Sequence, residues 1–259
     1  AQLVRRNQPR IAAQPVKGQR QLAERLRQIA ERQPPGQVLH DPRLGIGQLK
    51  GTRARLANLE ILRGDLDAAE SIHRELLDDP RATGMHWIQA MALIGLAAVE
   101  RRRGGLDAAS VHLERAWALS RTQTVPYMRA ITAVARGYLA DQRGDAAAAL
   151  EIQREGLRTA VLLRHPRGVA YSIEGVAGAL ALSRNPTTAG LGARLLGAAD
   201  LLRASAGGPM PAGERFDVDR AEARLRAVLG DAAFESCFAA GAAADVEGLI
   251  DELMAVEPF

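Results

Sequence analysis

The chain has 259 residues and is 47% hydrophobic but only 3% aromatic, so alanine and leucine carry its apolar content. One cysteine, Cys237, rules out an internal disulfide and with it a disulfide-stapled fold. The longest strongly apolar stretch, Met91 to Val99, is far short of the ~20 residues a membrane-spanning helix needs.

Valine and isoleucine nowhere form alternating runs, so no strand is expected and the fold class is all-α. No hydrophobic run follows the arginines of Ala1–Arg6, so no signal peptide is read and the expected location is cytoplasmic. Charge is uneven along the chain. Residues 1–63 hold 13 basic against 4 acidic side chains, and the remainder 21 against 26.

Residues 1–47 read as a basic arm. Gln19–Arg32 is expected to be a degraded helical hairpin, and Gln33–Gly47, with Pro34, Pro35 and Pro42, a loop. The arm's arginines are not interleaved with aromatics and show no recognition-helix pattern. Direct nucleic-acid binding is therefore not expected; a solvated linker is the plain reading, and an acidic neighbouring domain the alternative.

From residue 48 one phrase returns at a spacing of 40: Leu62-Arg63-Gly64-Asp65-Leu66-Asp67-Ala68-Ala69, then Arg102 to Ala109, then Gln142 to Ala149. Each phrase is a helix stop followed by a helix start. Gly64, Gly104 and Gly144 suit a left-handed helix end, and Asp65 and Asp145 suit an N-cap; Gly105 is a weaker substitute. Amphipathic stretches at 49–63, 88–103 and 128–143 precede the phrases, and apolar residues at helical spacing follow them. A fourth unit is expected over 166–184 and 188–205, its turn altered to Asn185-Pro186-Thr187-Thr188.

The Gly-Asp-x-x-x-Ala turn, the small residues Ala57, Ala97 and Gly137 in first helices, and Ala116 and Gly156 in second helices resemble the tetratricopeptide repeat. The resemblance implies an α-solenoid of helical hairpins over 48–205. The 40-residue period departs from the family's ~34.

The tail, 206–259, reads as further helices at 212–229, 231–241 and 245–255. Phe234 and Phe238 sit four apart as a cap over the last unit. With Ala193-Arg194-Leu195-Leu196-Gly197-Ala198-Ala199-Asp200 before it and Gly208-Pro209-Met210-Pro211 inside it, the tail is similar to that of repeat sensor regions in large bacterial transcriptional regulators. Those proteins join a LuxR-type or SARP/BTAD-type DNA-binding domain to a STAND-type ATPase. The resemblance therefore implies that DNA-binding and ATPase domains lie elsewhere in a parent protein.

The chemistry-bearing residues are sparse. His40, His73, His86, His112 and His165 show no metal-binding spacing, and no Cys-x-x-Cys occurs. Lys50-Gly51-Thr52 inverts the Gly-Lys-Ser/Thr order of a phosphate loop, and Cys237 has no base nearby in sequence. No cofactor, metal or catalytic residue is expected.

The candidate site is instead a concave groove lined by first-helix positions. It is expected to comprise Trp87, Met91, Ile94, Arg101, Arg102, Tyr127, Val134, Tyr138, Asp141, Tyr171 and Glu174. Aromatics supply contact area and charges supply orientation, which suits a peptide, a protein or a small amphiphilic effector. A sensor or effector domain and a stand-alone adaptor scaffold both fit this pattern.

Overall fold

The computed structural model describes residues 42–80, 84–121, 126–206, 210 and 212–257. The chain divides into two units, Ala1–His40 and Asp41–Phe259. The expected hairpin at Gln19–Arg32 lies outside the described residues. In the second unit the described residues form eleven α-helices, a short 3-10 turn and no strand. The first eight helices run α1 Pro42–Arg63, α2 Leu66–Asp78, α3 His86–Arg103, α4 Leu106–Arg121, α5 Pro126–Arg143, α6 Ala146–Leu162, α7 Pro166–Leu182 and α8 Pro186–Ser205.

These eight pack as four consecutive pairs, each pair against the next, which makes an α-solenoid. The expected loop up to Gly47 is shorter than read, because α1 begins at Pro42. Proline is well placed there, its fixed φ and missing N–H costing nothing in a first turn.

The hairpin turns follow from their glycines. Gly64, Gly104 and Gly144 have φ of 86°, 83° and 78°, a region barred to most side chains. The next N–H then reaches back five residues to a helix carbonyl: Asp65 to Glu60 at 2.9 Å, Gly105 to Glu100 at 2.8 Å and Asp145 to Ala140 at 3.0 Å. Asp65 and Asp145 accept from the N–H of Ala68 and Ala148, both at 3.0 Å, and so start α2 and α6. The fourth turn lacks a glycine. There Arg184 takes the left-handed conformation itself, φ 54°, and Asn185 caps α8 through the Thr187 N–H at 2.8 Å.

Small residues set how closely the helices approach. Ala57, Ala69, Ala97, Ala109, Ala116 and Ala149 are all buried. A Cβ placed on Gly156 would lie 2.6 Å from Val134 Cγ2, so α5 and α6 meet where only glycine fits. The first helices of successive pairs (α1, α3, α5, α7) also touch one another, whereas the second helices (α2, α4, α6, α8) are spread apart. That asymmetry places the first helices on the inner wall of the curve.

The chain then returns across that wall. A 3-10 turn, Ala212–Glu214, packs on α1, and α9, Phe216–Leu229, packs on α7 and α8. α10, Asp231–Ala243, lies along α8 at backbone distance. A Cβ on Gly197 would meet the Phe238 carbonyl oxygen at 2.0 Å, and one on Gly241 the Arg194 oxygen at 1.8 Å. α11, Val246–Met254, buries Leu249 and Leu253 in the main core cluster with Leu150, Leu157 and Ile173. No described helix is long and apolar enough to cross a membrane.

Candidate functional site

The C-terminal halves of α3 and α5 and the first half and middle of α7 carry charged and tyrosyl side chains on the inner wall, and the segment 212–229 lies over them. Arg101 is buried and spans both sides of this contact. Its Nε donates to Gln142 Oε1 at 2.6 Å, its Nη2 pairs with Asp217 of α9, and its guanidinium lies 5.3 Å from the centre of the Tyr138 ring. Arg102 donates to the carbonyls of Ile61 at 3.1 Å and Gly213 at 2.8 Å, with Phe216 beneath it at 5.0 Å. Burial lowers its pKa from the ordinary arginine value, with Asp217 opposing. Gly213 is required here: a Cβ would come within 1.8 Å of the Leu62 carbonyl oxygen.

Asp141 is only 3% exposed and receives two arginines from α9, Arg220 at 2.6 Å and Arg224 at 2.5 Å. Arg220 also bonds Asp217 at 3.1 Å, so acid and base alternate along the contact. Tyr138 donates to the Tyr171 carbonyl at 3.0 Å, and the two rings sit 5.0 Å apart. Burial pushes both phenols well above their usual range.

Glu174, also 3% exposed, takes two hydrogen bonds from Arg203 of α8, whose third nitrogen reaches Glu214 at 2.7 Å. Burial alone would lower the Arg203 pKa; its bonds to Glu174 more than reverse that. A buried, two-pronged arginine–carboxylate contact of this kind fixes orientation more than it adds stability.

Of the expected groove residues, Arg101, Arg102, Tyr138, Asp141, Tyr171 and Glu174 therefore come together as one band. The others do not join it. Val134 is buried against α6, its Cγ2 at the Gly156 gap and its carbonyl taking the Gln153 side chain at 3.2 Å. It lies on the same face of α5 as Tyr138, one turn nearer the helix start, and lines the small pit with Tyr127 and Tyr171.

Trp87 rests on Gly51 of α1, whose Cβ would sit 2.9 Å from the indole. Met91 and Ile94 are half-buried against the cores on either side of α3. Tyr127 is 41% exposed, with its ring 5.4 Å from that of His165. A pit of about 20 Å³ between Tyr127, Ile131 and Tyr171 has room for a water at most.

The residues on the covering side, Asp217, Arg220 and Arg224, were not among the expected site residues. Their signal was present in the sequence: positions i, i+3 and i+7 form one stripe on α9, adjoining the buried stripe Val218, Ala221, Leu225.

Comparison with known proteins found no matching family model, no matching curated protein and no matching solved structure.

Proposed function

We propose that the chain is a non-catalytic binding module, the sensor or effector region of a bacterial transcriptional regulator built from tetratricopeptide-type repeats. The observation that carries the reading is the band from Arg101 through Asp141 to Glu174, which holds desolvated charges of fixed sign in fixed orientation. The chain's own segment 212–229 supplies matching charges here, which supports reading the wall as one that takes a chain of matching charge order and disfavours others by leaving buried charges unpaired. Beside it lie the half-buried apolar side chains Trp87, Met91 and Ile94. On this reading the DNA-binding and ATPase domains lie elsewhere in a parent protein and the location is cytoplasmic.

One observation favours a protein over a small-molecule occupant, and with it the stand-alone adaptor as second reading. What meets the band is a segment of polypeptide, 212–229, and the pit beside it is water-sized. Native mass spectrometry separates the readings. A small-molecule excess over the sequence mass, lost on unfolding, is expected of a sensor that retains its effector. A clean apo mass, together with no change in Trp87 fluorescence of a Trp117→Phe variant across a metabolite panel, would overturn small-molecule sensing and leave the adaptor.

A further inference from the structure

The outer face carries three successive grooves between second helices, and they are treated differently. Helices α2, α4, α6 and α8 begin at Leu66, Leu106, Ala146 and Pro186, so Arg74, Glu114, Arg154 and Arg194 are each the ninth residue of their helix. Between α6 and α8 the groove region is occupied by α11. Arg154 donates to the Leu253 carbonyl at 2.7 Å and to that of Val256, closing the C-terminal end of α11, and Arg194 pairs with Glu252. Leu249 and Leu253, four apart, are buried below.

Between α4 and α6 the groove is bridged by side chains instead. Trp117 lies under Arg129 at 5.7 Å and Arg136 at 4.9 Å, which pair with Glu155 and Glu114.

Between α2 and α4 the groove is an open cleft of about 450 Å³. It matches the α11 groove in its floor, its walls and Arg74, while the counterpart of Arg194 is the acid Glu114. Its floor residues Leu93 and Leu96 are the eighth and eleventh of α3, as Ile173 and Val176 are of α7. Its wall residues Leu77 and Ala118 are half-buried and exposed, whereas their counterparts Leu157 and Ala198 are fully buried. The rim carries Arg74, in the place of Arg154, and Arg115 opposite, with Asp78 beside Arg74; burial lowers the pKa of His112 and favours its neutral form. Arg74 is engaged by Glu70 within its own helix, an exposed i,i+4 contact of a few tenths of a kcal/mol that is easily exchanged. Nδ1 of His112 is buried with no hydrogen-bond partner.

We infer that this cleft docks a short acidic amphipathic helix of a partner protein, with leucines four residues apart and its C-terminal end at Arg74. The molecule's own α11, Val246-Glu-Gly-Leu-Ile-Asp-Glu-Leu-Met254, is the pattern for such a helix. Leucines fill the floor, the arginine caps the last carbonyls, and the acids face the Arg74–Arg115 rim. The inference concerns the opposite face from the inner-wall band and stands independently of the function proposed for it.

The test uses a fluorescent peptide of residues 244–257 carrying Glu247→Lys, held helical by a lactam between that lysine and Asp251 on its solvent side, titrated into the intact chain and followed by anisotropy. Saturable binding is expected, weakened roughly tenfold by Arg74→Glu, a change of about 1.4 kcal/mol. Ala118→Glu, on the exposed wall, should abolish it without touching the core. The two exposed variants are compared with the parent chain by circular dichroism, so that a folding defect in one leaves the other as the test. Absence of saturation by ~1 mM overturns the inference. Binding equal in both variants and the parent also overturns it, since it would report exchange with α11 at the α6–α8 groove.

Discussion

Replacing Asp141 with alanine removes the acceptor that ties α9 to the inner wall. The carboxylate is 3% exposed and receives Arg220 and Arg224 at 2.6 and 2.5 Å. Breaking a fully buried pair from one side costs about 3–5 kcal/mol, because a charge is left without a partner. Here the two arginine side chains keep 24% and 31% exposure and recover part of their hydration, so about 2–3 kcal/mol is expected. At roughly 2–4 °C per kcal/mol for a domain of this size, Tm falls by about 5–10 °C.

Hydrogen exchange followed by mass spectrometry localises the effect. Peptides from 216–229 should exchange faster than in the parent chain while those of α3 and α4 are unchanged. A double-mutant cycle of Asp141→Ala with Arg224→Ala should show coupling of at least about 1 kcal/mol. Unchanged exchange in α9, or additive substitutions, would refute the view that this ion-pair row holds the segment in place.

Other consequences follow from single contacts. His73 is buried without a hydrogen-bond partner, and burial lowers its pKa to about 4, below the ordinary ~6.5. Its contribution is fully present above pH ~6.5 and is lost as pH falls toward 4, by about 3 kcal/mol; His73→Gln should flatten the denaturation profile over that window. Gly95→Ala would set a Cβ 2.0 Å from His73 Nε2 and should cost about 1–3 kcal/mol by thermal denaturation. Adding His73→Leu should recover part of that loss, since Leu113 and Ala135 already pack in one cluster in the next unit. Arg184→Gly relieves a left-handed arginine and should raise Tm by a few degrees, about 1 kcal/mol; no rise would mean the turn is not strained.

The helices and their turns were legible in the sequence because they depend on neighbours in the chain. A glycine free to take positive φ, an aspartate within reach of an N–H three residues on, and alanine at helical spacing act locally, and α2 to α8 and α10 lie close to where these signals put them. The candidate site was legible in part. The positions of Arg101, Tyr138, Asp141, Tyr171 and Glu174 on first helices follow from the same periodicity, and Val134 shares their face, four residues before Tyr138, but lies farther toward the start of α5, where the neighbouring helix closes over it.

The tertiary structure alone decided what those residues meet. Asp141 and Arg224 are 83 residues apart in the chain, and Arg101 and Asp217 are 116 apart. No local rule says that the tail recrosses the inner wall instead of extending the stack. That choice is made where Gly213 can approach the Leu62 carbonyl and α9 can bury one stripe while its neighbouring stripe neutralises charges already committed to the wall. Local periodicity determines which side chains share a face; only long-range packing determines which face is left open.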